Sequence, residues 1–194
     1  MTLIFATNNK NKVTEVQAAI GTAFTLVTLQ EAGIDIDIPE PHDTLEANAT
    51  EKSTTINRLT GLACFSEDTG LEVAALGGEP GVKSARYAGA DKDFTANMQL
   101  LLHKLNKQVN RKARFRTIIS LILDGQETLF EGICEGTIGT HPVGEKGFGY
   151  DPVFTPTGAT KTFAEMTIAE KNIYSHRRIA TDQLIAFLQA HLNK

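Results

Sequence analysis

The chain has 194 residues, of which 41% are hydrophobic, and its 19 basic and 23 acidic side chains leave a formal net charge of −4. This supports one well-filled core and excludes disorder as the main state, because apolar residues are plentiful and only 6 are proline. The acidic balance argues against binding nucleic acid through its phosphates, for which a basic surplus is the usual signature.

The first six residues lack a basic start, and their apolar run is too short for a secretory leader. No window approaches the ~18 apolar residues of a membrane span, so the expectation is a soluble, cytoplasmic protein with no membrane partner. Residues 3–7 read as a strand and residues 8–12 as a tight polar loop. Val13, Val16 and Ile20 then form the apolar face of a helix stopped at Gly21. Residues 25–29 fit a second strand. In the acidic segment 35–43 that follows, Pro39 and Pro41 exclude a helix. Asp43 with Glu46 reads as a capping-box variant opening a helix to about Leu59. Residues 62–66 form a strand ending at Glu67-Asp68-Thr69-Gly70, and residues 71–75 continue extended before the glycine-rich loop 77–81.

Phe94, Met98, Leu101, Leu102 and Leu105 mark an amphipathic helix. Residues 113–123 are β-rich, Asp124-Gly125 is a strong hairpin turn, and the return strand runs from Glu127 to about Ile138. Residues 147–152 are turn-rich and residues 164–171 fit a short helix. A last helix starts near His176, with Ala180, Leu184, Phe187, Leu188 and His191 on one stripe. With no repeat, linker or low-complexity tract, residues 1–194 are expected to form a single mixed α/β domain.

Four segments carry candidate chemistry. Thr7, Asn8, Asn9, Lys10, Asn11 and Lys12 lie at a strand-to-helix junction, where free N–H groups and two lysines suit a phosphate. The glycines of a P-loop are absent, and the same residues also fit a solvated turn. Glu67 and Asp68 at a strand end suit Mg²⁺ through hard oxygen ligands, with Glu40 as a further ligand; an ordinary acidic turn fits too. Phe148, Gly149, Tyr150 and Asp151 alternate glycine and aromatic residues, either to stack a base or to close a tight turn. Lys171 and the Ser175-His176-Arg177-Arg178 cluster read as an anion or carbonyl site, or as a polar helix start. Cys64 and Cys134 form no CxxC and the 5 histidines no HxH or HExxH pair, so zinc has no support.

Taken in order, TNNKNK, EDTGL, GGEPGVKSARYAG, GFGYDP and SHRR resemble the inosine/xanthosine triphosphate pyrophosphatase family, from Thr7 to Arg177. The resemblance implies a homodimeric α/β protein with a long mixed sheet and flanking helices forming two lobes around a cleft. It also implies Mg²⁺-dependent cleavage of inosine, deoxyinosine and xanthosine triphosphates to monophosphate and pyrophosphate. By matching motif, Thr7 to Lys12 would form the triphosphate loop. Asp68 would be catalytic base and metal ligand, Glu67 and Glu40 further ligands, and Thr69 a substrate contact. Phe148, Gly149, Tyr150 and Asp151 would line the base pocket, and Lys171, His176 and Arg177 would recognise the nucleotide, the last two as donors to a 6-oxo group.

The sequence departs from the family at three places. Glu67-Asp68-Thr69-Gly70 stands where Asp-Asp-Ser-Gly is common, Ala47-Asn48-Ala49 stands for Glu-Asn-Ala with Glu46 one place early, and Pro39-Glu40-Pro41 lacks the family's glycine. A pyrophosphatase of other modified or pyrimidine nucleotides, and a nucleotide-sensing module without turnover, are the alternative functions.

Overall fold

The computed structural model describes residues 1–22 and 24–192. In chain order the elements are β1 (Thr2–Phe5), α1 (Lys10–Ile20), β2 (Thr25–Thr28), α2 (Leu45–Thr60), β3 (Cys64–Val73), β4 (Pro80–Gly81), α3 (Phe94–Lys104), β5 (Lys112–Leu123), β6 (Gln126–Ile138), β7 (Phe154–Pro156), α4 (Ile168–Lys171) and α5 (His176–Leu192). Among the described residues the strands form a mixed sheet in the order β2-β1-β3-β5-β6-β7, with β4 on β3. β1 runs parallel to both β2 and β3, whereas β4 and β7 pair antiparallel with β3 and β6. The chain gathers into two compact units. One comprises Met1–Asp68, Thr117–Gly132 and the chain from Arg177; the other comprises Thr69–Arg116 and Ile133–His176.

In the first unit, strand alternation sorts the core. Leu3, Phe5 and Phe65 point to one face and pack with Val16 and Ile20 of α1 and Ala180, Leu184 and Leu188 of α5. Ile4, Ala6 and Cys64 point to the other face and pack with Ile56 of α2, and Ile34, Ile36 and Ile38 lie against them. In the second unit Leu71, Leu101, Phe115, Tyr150, Phe154 and Phe163 share one core. Cys64 and Cys134 are free and buried. Among the described residues no helix is long and apolar enough to cross a membrane.

Several boundaries differ from expectation, each for a local reason. α2 is capped by Thr44, whose hydroxyl accepts the Ala47 N–H at 3.2 Å, and not by Asp43 one residue earlier. β3 runs unbroken through residues 67–70, so Glu67 and Asp68 lie inside a strand and not at its end. The close approach of β4 requires glycine there: a Cβ on Gly70 would stand 2.7 Å from the Gly81 carbonyl oxygen. Residues 164–171 are not one helix. A 3-10 turn at Phe163–Glu165 and α4 each open with their own capping box, Thr162 with Glu165 and Thr167 with Glu170, and this punctuates the run. The hairpin turn is as expected, with Asp124 at φ 51° and Gly125 at φ 74°.

Candidate active site

The Asn/Lys loop joins β1 to α1 and satisfies much of its own backbone. Thr7 Oγ1 accepts the Asn9 N–H at 3.2 Å, and Asn9 Oδ1 caps α1 by accepting from Asn11 at 3.0 Å and Lys12 at 3.3 Å. The expectation that these helix-start N–H groups stand free for phosphate is therefore corrected, because the Asn9 side chain takes two of them. Asn8 donates to the Ile36 carbonyl at 3.1 Å, while Lys10 and Asn11 are exposed. Thr7, Asn8 and Lys10 border an open depression of about 220 Å³ that Thr28 and Gln30 also line.

Glu67 and Asp68 are neighbours in a strand, so their side chains leave it on opposite faces. Glu67 points to the α1/α5 side, where Lys12 Nζ lies 3.0 Å from Oε1 and Arg177 Nε 2.7 Å from Oε2. Arg177 also pairs with Glu15 of α1. Asp68 points to the α2 side, where Oδ1 accepts from Lys52 Nζ at 2.9 Å. The same ammonium donates to Glu40 Oε1 at 2.8 Å and to the Glu67 carbonyl oxygen at 2.8 Å, so all three of its protons are used. The expectation that Glu67 and Asp68 share one ion gives way to this alternation: the carboxylates that converge are Glu40 and Asp68.

The two faces also polarise the acids in opposite senses. Burial opposes ionisation of Glu67, but Arg177 and Lys12 outweigh it and hold this carboxyl well below the usual range. Burial pushes the Asp68 carboxyl above its ordinary value; Lys52 and Lys12 only partly offset this, and Glu40 adds to it. Burial likewise opposes the charge on Lys52, yet Asp68 and Glu40 keep its ammonium above the ordinary lysine range. Asp68 is thus the more basic of the two adjacent carboxylates, a separation that suits a proton acceptor beside a permanent anion.

Among the described residues no group of three or more His, Cys, Asp or Glu side chains is arranged to hold an ion. Two hard carboxylates brought together on one ammonium nevertheless fit Mg²⁺, which binds through one or two carboxylates and completes its shell with water and substrate phosphates.

The second unit carries a separate cluster. Asp151 Oδ2 accepts the Phe148 N–H at 2.9 Å and the Lys171 ammonium at 2.7 Å. Lys171 Nζ also lies 5.0 Å from the Phe163 ring centroid and 5.5 Å from that of Phe148. The His176 ring stacks on Phe115 at 4.6 Å with the planes 13° apart. Tyr150, expected to line a base pocket, is a core residue whose hydroxyl donates to the Ser84 carbonyl at 2.8 Å. Thr69 is half-buried on β3. Arg177, expected as a donor to the base, is 2% exposed and bound to two carboxylates of the first unit.

The sequence matches the Ham1 family over residues 3–187. The chain belongs to the Ham1 family. Among its relatives, a dITP/XTP pyrophosphatase of Porphyromonas gingivalis is 49% identical over 187 residues, covering 96% of each chain. One of Flavobacterium johnsoniae is 46% identical over 190 residues, covering 98% of this chain and 99% of that one. The solved Ham1 protein of Staphylococcus aureus superposes with a TM-score of 0.89 at 36% identity, over 98% of this chain and 100% of that chain. The mixed sheet with flanking helices is thus the Ham1 fold.

Lys52, Glu15 and Phe115 of this Ham1 chain escaped the motif reading. For Lys52 a signal exists: the buried face of α2 is Leu45, Asn48, Ala49, Lys52, Ser53 and Ile56, which places a lysine in the apolar stripe. Glu15 carries no comparable mark, since nothing local in α1 distinguishes it from a solvated acid.

Proposed function

We propose that this chain is a Mg²⁺-dependent nucleoside triphosphate pyrophosphohydrolase that converts inosine, deoxyinosine and xanthosine triphosphates to monophosphate and pyrophosphate. The observation that carries this reading is the Glu40–Lys52–Asp68 arrangement, a basic carboxylate fixed beside a second acid in a chain of the Ham1 family. Asp68 accepts the proton of a water as its oxygen adds to a phosphorus atom flanking the α–β bridge. The bond from that phosphorus to the bridging oxygen breaks, so that monophosphate and pyrophosphate separate, one of them carrying the water's oxygen and the other the bridging oxygen. Lys52 holds the Asp68 carboxylate in place, and Thr7, Asn8, Asn9, Lys10, Asn11 and Lys12 supply polar and cationic contacts for the phosphates. Glu40 and Asp68 would hold Mg²⁺, which when bound neutralises phosphate charge. Glu67 serves as a fixed anion that positions Lys12 and Arg177.

Base recognition is assigned to the second unit, with Phe148 and Gly149 as the stacking platform and Lys171, Asp151 and His176 as polar readers. The same reading makes the protein a cytoplasmic homodimer, supported by the family resemblance and testable by light scattering.

The deciding experiment incubates the protein with Mg²⁺ and a panel of inosine, xanthosine, guanosine, adenosine and pyrimidine triphosphates, then identifies the products. Inosine monophosphate with pyrophosphate is the expected result. Pyrimidine preference would favour a different house-cleaning substrate, and tight binding without turnover would favour a sensing module.

A further inference from the structure

Residues 34–43 link the first strands to α2 without regular structure, yet they carry Glu40 to its place beside Lys52 and Asp68. Three side chains hold this strap along its length. Ile34, Ile36 and Ile38 alternate with Asp35 and Asp37 and turn their apolar faces onto the Ile4, Cys64 and Ile56 core. Past Glu40 come Pro41, His42 and Asp43, which are not among the side chains packed on that core, and there the Asn48 side chain takes over. Asn48 Oδ1 accepts the His42 N–H at 3.0 Å, and Asn48 Nδ2 donates to the His42 carbonyl at 3.1 Å. Both backbone groups of one residue are satisfied by one amide, whose oxygen accepts while its nitrogen donates. Asn48 is 1% exposed, and Lys52 stands one helical turn further along the same face of α2. The helix therefore grips the strap at two points, Asn48 on the backbone of residue 42 and Lys52 on the carboxylate of residue 40.

We propose that Asn48 is a positioning residue for the metal site: its two-bond clamp on His42 fixes the strap so that Glu40 meets Lys52 and Asp68. This rests on the assignment of Glu40 as a Mg²⁺ ligand. The side-chain pair of His42 and Glu51, at 3.7 Å and largely exposed, is too loose to substitute for the clamp.

The test uses Asn48→Ala, which removes both bonds, and Asn48→Asp, which keeps the acceptor and removes the donor. Glu40→Gln is the control for the ligand role. Amide hydrogen exchange of residues 36–43 and the Mg²⁺ concentration for half-maximal turnover are measured on each. In Asn48→Ala the strap should exchange about tenfold faster or more, and the Mg²⁺ requirement should rise about tenfold, while kcat at saturating Mg²⁺ stays within about threefold. Asn48→Asp should fall between this variant and wild type, and it carries the test if Asn48→Ala does not fold. Wild-type exchange of the strap in both variants, or a fall in kcat at an unchanged Mg²⁺ requirement, overturns the proposal. If Glu40→Gln leaves the Mg²⁺ requirement unchanged, the metal assignment of Glu40 fails by itself. The exchange rates then decide alone whether Asn48 fixes the strap.

Discussion

Lys52 donates to Asp68 at 2.9 Å from within the buried face of α2, and the same ammonium is bonded to Glu40 and to the Glu67 carbonyl. One acceptor lies on the strap and the other two on adjacent residues of β3, so a cation on α2 ties the strap and β3 to that helix. A lysine with every proton bonded has no freedom to wander, and the carboxylate it holds is correspondingly fixed.

Asp68→Asn should lower kcat by roughly 10²–10⁴-fold, the range attributed to a single general base, while nucleotide binding stays within about tenfold. The amide keeps the shape and still accepts from Lys52, so the fold should survive. Pyrophosphate release under single-turnover conditions reads the effect, and near-normal turnover would remove Asp68 from the base role.

Lys52→Met should destabilise the protein by about 3–5 kcal/mol, because it strands Asp68 and Glu40 as like charges without their shared cation. Adding Glu40→Gln to the same chain should recover part of that loss by removing one of the two stranded charges. Urea unfolding at neutral pH measures both. A stability loss in Lys52→Met that Glu40→Gln leaves unrelieved would mean that repulsion between Glu40 and Asp68 is not its source, and that the lost bonds to Asp68 and the Glu67 carbonyl carry it.

What the sequence made legible follows from how local each signal is. The Asp124-Gly125 turn and the Gly21 stop are set by residues a few positions apart, and both appear where pattern reading puts them. The order of motifs was enough to indicate the family. The partnership of acids was not legible, because Glu67 and Asp68 read as one pair until strand alternation turns them toward different helices. The acidic partners of Arg177 were not legible for a similar reason: Glu67 and Glu15 lie far away in the chain and meet it only through the fold. Tyr150 sits in a glycine–aromatic run that gives no local sign of its burial against Ser84.

Acid should weaken the fold through Glu67. Its carboxyl is buried, but Arg177 and Lys12 hold it below the ordinary 4.5, so the ionised form binds more strongly in the folded protein. Stability from this group is complete above the unfolded value and is lost as pH falls below it toward the folded value. At neutral pH Glu67→Gln should cost about 3–5 kcal/mol. The gap between wild type and variant should narrow as pH drops below about 4. Unfolding midpoints compared from pH 7 to pH 3 test this, and a constant gap would deny Glu67 its ionic role.

Both thiols should be inert in the native state. Burial pushes Cys64 up to about 12, and burial with the nearby Glu135 charge does the same to Cys134, so neither offers appreciable thiolate at pH 8. A chromogenic disulfide reagent should label the protein only at the rate at which it unfolds, while urea-denatured chains react at once. Fast labelling of either cysteine in the folded protein would contradict the burial.

Selectivity for the base should depend on a glycine that touches no substrate. Gly147 has φ 74°, and a Cβ there would stand 2.1 Å from Asp151 Oδ2. That oxygen accepts both the Phe148 N–H and the Lys171 ammonium. Gly147→Ala must therefore displace the carboxylate, releasing Lys171 from its place against the Phe148 and Phe163 rings. Gly158 is the matched control, because its φ is 87° but nothing lies within 4 Å of its added Cβ. Both substitutions incur the left-handed penalty of about 1 kcal/mol, and only Gly147→Ala disturbs Asp151. In Gly147→Ala the KM for inosine triphosphate should rise about tenfold or more, and the preference over adenosine triphosphate should shrink, since a displaced donor loses about 1–3 kcal/mol of discrimination. Gly158→Ala should lose stability to a similar degree and keep its preference. Equal selectivity in the two variants would show that Asp151 and Lys171 support the loop without reading the base.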